Sequence, residues 1–167
     1  FTYKDGDYIE VEMGRGFSGT STCALDTEGT IECWNYNDPT SAFFPPDGSS
    51  EVTIEYSSLD GSQHYCAITK TSEIVCWGRI MNGAISEIPE WDNFTKVSTG
   101  YRISCGLTDD KHIECWGRTS GDNGNPPAND PPKSFTDGPY SDLAAATRKT
   151  CTIELDKTIT CYGRGPY

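Results

Sequence analysis

The chain lacks any run of about 18 apolar residues, which excludes a membrane-crossing helix. Positive charge is scarce: 13 Lys and Arg stand against 25 Asp and Glu, for a formal net charge of -12. That balance argues against binding to nucleic acid, because a phosphate backbone calls for clustered cations. His64 and His112 are the only histidines. Enzyme signatures are missing as well: there is no phosphate-binding glycine loop, no metalloprotease helix motif and no strand-turn-helix setting for a nucleophilic serine. Hydrophobic residues make up 35% of the chain, alongside 17 Gly and 10 Pro, so a large continuous core is not expected. Small units of this composition need staples.

The staples are present. Eight cysteines fall in four copies of Cys-x9-Cys, at Cys23/Cys33, Cys66/Cys76, Cys105/Cys115 and Cys151/Cys161, and their first members are 43, 39 and 46 residues apart. An internal repeat with a period near 40 residues and strand-like alternation points to β-propeller blades rather than helical solenoids. The copies align without a gap from Cys23 to Trp34, Cys66 to Trp77, Cys105 to Trp116 and Cys151 to Tyr162.

If three residues close each hairpin (27-29, 70-72, 109-111 and 155-157), each cysteine faces its partner. The same register opposes Leu25 to Ile31, Ile68 to Ile74, Leu107 to Ile113 and Ile153 to Ile159. Side chains alternate faces with period two, so each cysteine pair shares a face with its apolar pair. Such loops favour a left-handed last residue, which Gly29 supplies. Ser72, Lys111 and Lys157 in that place predict strain or a different loop.

Upstream of each hairpin lies a further apolar segment, expected as a strand: Tyr8 to Met13, Val52 to Ile54, Phe94 to Val97, and Tyr140 to Leu143. The expected units run from about 8 to 43, 51 to 90, 94 to 134 and 140 to 162, with 1 to 7 as a terminal strand. One four-unit toroid is the economical arrangement. If Phe1, Thr2 and Tyr3 pair with the fourth unit of the same chain, the ring closes and leaves no open edge. If they pair with a neighbouring molecule, the same hydrogen bonds build a head-to-tail polymer.

Directly opposed strand residues are close enough for a disulfide. Each 11-residue loop so closed is worth about 2.5 to 3 kcal/mol in the chain-entropy model. Zinc favours shorter Cys-x2-4-Cys spacing with a second pair or histidines close by. Paired cysteines throughout imply an oxidising, extracellular setting. Phe1 is not a translation start, so the chain is expected to be a mature product or a piece of something longer.

The recurring string Cys-Ala-Leu-x-x-x-Gly-x-x-x-Cys-Trp, with Gly78 and Gly117 following in copies two and three, resembles the regulator of chromosome condensation repeat family from about Tyr8 to Gly163. The resemblance implies an all-β propeller-like fold of four blades. The family's namesake is a nuclear exchange factor for a small GTPase and binds chromatin, and a secreted bacterial relative inhibits β-lactamases. Others are extracellular repeats with paired cysteines in binding or adhesive proteins, and this chain is most similar to those. The Asn and Gly-Gln-Leu-Gly that follow Trp-Gly in the nuclear pattern are absent, with Arg79, Arg118 and Arg164 there instead. Exchange activity is therefore not expected, and no catalytic residue carries over.

Several positions invite a functional reading beside a structural one. Trp34, Trp77, Trp116 and Tyr162 point away from the cysteine face, either stacking carbohydrate or packing blade on blade. Arg79, Arg118 and Arg164 either ring an anionic ligand or pair with carboxylates such as Glu32 and Glu114. Asn93-Phe94-Thr95 is an N-glycosylation acceptor. The segment 120-132 reads as a long surface loop, in which Asp122, Asn123, Asn125 and Asp130 offer oxygen ligands for calcium without the spacing of an EF-hand. No other cofactor is expected. Phe43 and Phe44 are candidates for a contact with another subunit.

The leading reading is a non-enzymatic, secreted structural or interaction module, in its most specific form the protomer of an extracellular filament. Its partners would be further copies of itself or other extracellular proteins. A carbohydrate-binding propeller is the alternative, and a protein inhibitor, argued from fold analogy alone, comes third.

Overall fold

In a computed structural model, which describes residues 5-15, 20-35, 56-78, 85-90, 93-117, 134-135, 138-146 and 149-163, each cysteine pair lies in the hairpin of a small antiparallel sheet. The first sheet is β1 (Tyr8–Arg15), β2 (Thr20–Asp26) and β3 (Ile31–Asn35). The second is β4 (Tyr56–Gly61), β5 (His64–Thr69) and β6 (Ile74–Gly78). The third is β7 (Phe94–Thr99), β8 (Ile103–Thr108) and β9 (Ile113–Gly117), with the short β10 (Ser134–Phe135) added beside β9. The fourth is β11 (Tyr140–Ala145), β12 (Lys149–Glu154) and β13 (Ile159–Gly163).

The hairpin register is the one the alternation predicts. Cys23 faces Cys33 and Leu25 faces Ile31, and the same offsets hold in the other three hairpins. All four disulfides are formed: Cys23–Cys33, Cys66–Cys76, Cys105–Cys115 and Cys151–Cys161, with Cα atoms 4.0 to 4.1 Å apart. The loops share one conformation: φ is +91° at Gly29, +65° at Ser72, +72° at Lys111 and +74° at Lys157. Three non-glycine residues thus occupy the left-handed region, the strained outcome of the two expected.

The strand before each hairpin carries a β-bulge just after its leading aromatic, between Tyr8 and Glu10, Tyr56 and Ser58, Phe94 and Lys96, and Tyr140 and Asp142. In three sheets a hydroxyl at the extra residue bonds across the gap, Ser57 and Ser141 to the Ile68 and Ile153 carbonyls and Thr95 to the Leu107 carbonyl. Ile9 holds this place in the first sheet and has no such group. The second sheet corrects one expectation. Its first strand is Tyr56–Gly61, while Val52 to Ile54 lie outside the described residues. Tyr56 and Leu59 restore the aromatic-x-x-aliphatic spacing of the other copies.

Hydrophobic contact lies between the sheets, in three layers. Cys23, Leu25 and Ile31 of the first sheet pack on Tyr56, Leu59 and Trp77 of the second. Cys66, Ile68 and Ile74 of the second pack on Phe94, Val97 and Trp116 of the third. Cys105, Cys115, Leu107 and Ile113 of the third pack on Tyr140, Leu143 and Tyr162 of the fourth, with Phe135 joining them. Each layer sets the disulfide face of one sheet against the aromatic face of the next.

The repeat makes the four second cysteines equivalent in sequence, and the fold does not keep them so. Cys115 is a core residue, 2% exposed, whereas Cys33 and Cys76 are half-buried and Cys161 is exposed. The physical reason is local. Among the described residues only the third sheet gains an outer strand, where Phe135 pairs with Ile113 and Ser134 with Glu114, and Phe135 joins the layer that encloses Cys115.

Candidate interaction faces

Each junction is closed by the same backbone hydrogen bond. The amide of the leading aromatic donates to the carbonyl of the left-handed turn residue in the preceding sheet: Tyr56 to Gly29 at 2.8 Å, Phe94 to Ser72 at 3.1 Å, and Tyr140 to Lys111 at 3.0 Å. The left-handed turn aims its carbonyl sideways, so the strained conformation has a use at every junction. Tyr8 supplies the equivalent amide at one end of the series and Lys157 the equivalent carbonyl at the other.

Polar side chains add a second layer of joinery. The Tyr65 hydroxyl donates to the Ser21 carbonyl at 2.8 Å and accepts from the Gly14 amide at 2.7 Å. Asp60 accepts from the amide and hydroxyl of Thr99 at 2.9 and 2.7 Å, and the Ser98 hydroxyl accepts from the Ala145 amide at 2.9 Å. His64 Nε2 lies 2.6 Å from the Ser104 hydroxyl. Burial lowers the His64 pKa to about 4, so the ring is neutral at pH 7. Burial also raises Asp60, against the lowering effect of Thr99 and Ser98. Burial and the nearby charges of Asp60 and Glu10 raise Glu12. Tyr65, Asp60, Ser98 and His64 tie sheets together, and sequence reasoning missed them, because nothing but their residue types marks them along the chain.

The two ends differ from the interior. Val11 holds the position of Leu59, Val97 and Leu143, which are at most 4% exposed, yet it is 64% exposed itself. Ile159 holds the position of Ile31, Ile74 and Ile113, which are at most 8% exposed, and it is 65% exposed. Ile9, Met13 and Leu155 are exposed beside them. The fourth disulfide shares this setting: Cys23, Cys66, Cys105 and Cys115 are buried, whereas Cys151 is half-buried and Cys161 exposed. Among the described residues, the apolar clusters join the first sheet to the second, the second to the third and the third to the fourth, and none joins the fourth to the first.

The tryptophans follow the same division. Trp77 and Trp116 are buried between sheets, and Trp77 stacks on Tyr65 with centroids 5.8 Å apart. Tyr162 packs edge-on against Phe135. Trp34, on the end face, is half-buried and meets Tyr8 edge-on. Asn93 is half-buried and donates to the Asp109 carboxylate at 2.6 Å. Glu32 accepts a hydrogen bond from the Tyr8 hydroxyl in its own sheet. Arg79, Arg118, Arg164, Phe1, Thr2, Tyr3, Phe43 and Phe44 lie outside the described residues, as do Asp122, Asn123, Asn125 and Asp130. Among the described residues, no cluster of His, Cys, Asp or Glu is arranged to hold a metal ion.

Solved structures share this repeated architecture. The chain matches the CRINKLY WD40 ectodomain of the Arabidopsis thaliana receptor kinase ACR4 with a TM-score of 0.71 over 96% of its length. It has a β-propeller-type fold. Identity to that ectodomain is 22%, and 52% of it is covered. The ectodomain of the Physcomitrella patens receptor kinase CR4 matches with a TM-score of 0.70 at 19% identity, over 95% of this chain and 43% of that one. Prp20p from Saccharomyces cerevisiae, described with its binding properties to Gsp1p and histones, matches with a TM-score of 0.67 at 15% identity, over 97% and 46%. The chain therefore spans about half the length of these propellers. No family profile and no curated protein matches its sequence.

Proposed function

We propose that this propeller is a secreted, non-enzymatic module that works through protein contact. The observation that carries the reading is the pair of exposed apolar faces at the ends of the stack, each built like a face that the interior covers with protein. Four disulfides and two receptor-ectodomain neighbours support an extracellular setting. The regulator of chromosome condensation family is the source of repeat we favour, and the likeness to Prp20p supports it. Asn93 is the proposed glycan acceptor.

The most specific form of the reading is the protomer of an extracellular filament. The observed role of β10 supports it: Ser134–Phe135, just ahead of the fourth blade, pairs back onto the third. Phe1 to Tyr3 stand in the same relation to the first blade, and we assign them as the strand given to a preceding blade.

The carbohydrate alternative needs open aromatic faces, and Trp77 and Trp116 are enclosed by packing. A glycan array probed with the whole chain tests the choice. The expected result is silence. Specific binding that is lost in Trp34→Ala would overturn the protein-contact reading in favour of a lectin.

A further inference from the structure

We propose that a second copy of this chain docks head to tail, with the disulfide face of its fourth blade seated on the aromatic face of the first blade. The inference rests on the protein-contact reading and names its partner. Three interior junctions show what each kind of end face accepts. Every disulfide face in the interior carries an aromatic face of the same repeat, and every aromatic face rests on a disulfide face. The uncovered ends are one of each kind, so a single chain supplies both halves of a fourth such contact.

The match extends to position. Val11 would meet Ile159 and Ile153 as Leu59 meets Ile31 and Leu25. The Tyr8 amide would donate to the Lys157 carbonyl of the second copy, continuing the series Tyr56 to Gly29, Phe94 to Ser72 and Tyr140 to Lys111. Such a contact joins unlike faces and is heterologous, so it closes into a ring if the rotation permits and extends as a filament if it does not.

One position is less complete than in the interior. Asp60 and Ser98 each accept from an amide of the next blade, and Ala144 stands in their register position without an acceptor. The new junction therefore lacks a hydrogen bond that the second and third junctions have. Ala144→Ser should tighten it roughly three- to tenfold by restoring one hydrogen bond.

The test is sedimentation of the full chain over a wide concentration series, with Val11→Glu and Ile159→Glu. Both side chains are exposed in the single chain, so each variant keeps its fold, which circular dichroism checks. Wild type is expected to form species heavier than the 18.3 kDa chain. Each variant is expected to remain a monomer. An equimolar mixture should form a one-to-one pair, because one variant keeps its fourth-blade face and the other its first-blade face. Reduction of Cys151–Cys161 should slow in the assembled wild type, where the contact covers it.

Three results would each overturn the proposal: wild type that stays monomeric at every concentration, assembly that survives both variants, or self-pairing of one variant. Monomeric wild type with a silent glycan array removes the second copy as partner and leaves protein contact standing. A specific glycan signal removes the broader reading itself.

Discussion

At Ser72 and Lys111 a side chain is held in a conformation that disfavours it, and the turn carbonyl so placed reaches the next blade. Lys157 shares the conformation, and among the described residues no backbone amide of a further blade meets its carbonyl. Lys157→Gly should raise stability by about 0.5 to 1 kcal/mol, read from urea unfolding. His64 gives a second residue-scale expectation. Its folded pKa of about 4 lies below its unfolded value of 6.5, so the unfolded chain binds the extra proton between them. The associated stability is complete above pH 6.5 and falls by about 3 kcal/mol as the pH drops towards 4. Asp60 acts in the opposite sense, because its raised pKa lets the folded state take up a proton as acidity increases. The His64 contribution is thus the difference between wild type and His64→Gln in unfolding series run at both ends of this window. A slope unchanged by the substitution would show that the ring is not the titrating group.

Among elements, the hairpins were legible because alternation and a fixed cysteine spacing allow only one register that keeps both apolar and cysteine pairs on one face. The strand before the second hairpin was not. The described first strand is Tyr56–Gly61, whose Tyr56 and Leu59 fill the contact with the first blade. The aromatic-x-x-aliphatic spacing was the signal that could have found it. The enclosure of Cys115 was hidden because it depends on Phe135, 20 residues further on and outside the repeated string. The exposed end faces were invisible for a different reason: Val11 and Ile159 look like their buried counterparts in sequence. Gly100 shows how tight a finished junction is. A Cβ there would sit 2.2 Å from the Ala146 carbonyl oxygen, in the turn after β11. Gly100→Ala is therefore expected to cost about 1 to 3 kcal/mol. Hydrogen exchange should show the loss first across β11 to β13.

For the whole molecule, the described apolar clusters lie between neighbouring blades, so stability is a sum over blades and neighbour contacts. Among the described residues the fourth blade packs on the third alone and has an accessible disulfide, so limiting reductant should open Cys151–Cys161 first of the four bridges and Cys105–Cys115, with both residues buried, last. Mass spectrometry after thiol trapping reads the order, and release of Cys105–Cys115 first would contradict the exposure of the two bridges. The charge of -12 sets a further condition, because two such chains repel one another. Added salt should strengthen association rather than weaken it, until the apolar contact alone decides its extent.

The hydrogen bond that links each turn to the next strand always runs the same way, from the later blade's amide to the earlier blade's carbonyl. The stack consequently has an arrow. Any array made from it possesses a donor terminus and an acceptor terminus that differ chemically, so a molecule that stops growth at one has no purchase on the other. Elongation at the two tips would proceed at unequal rates, and the assembly would carry a direction along a surface even though every subunit in it is identical.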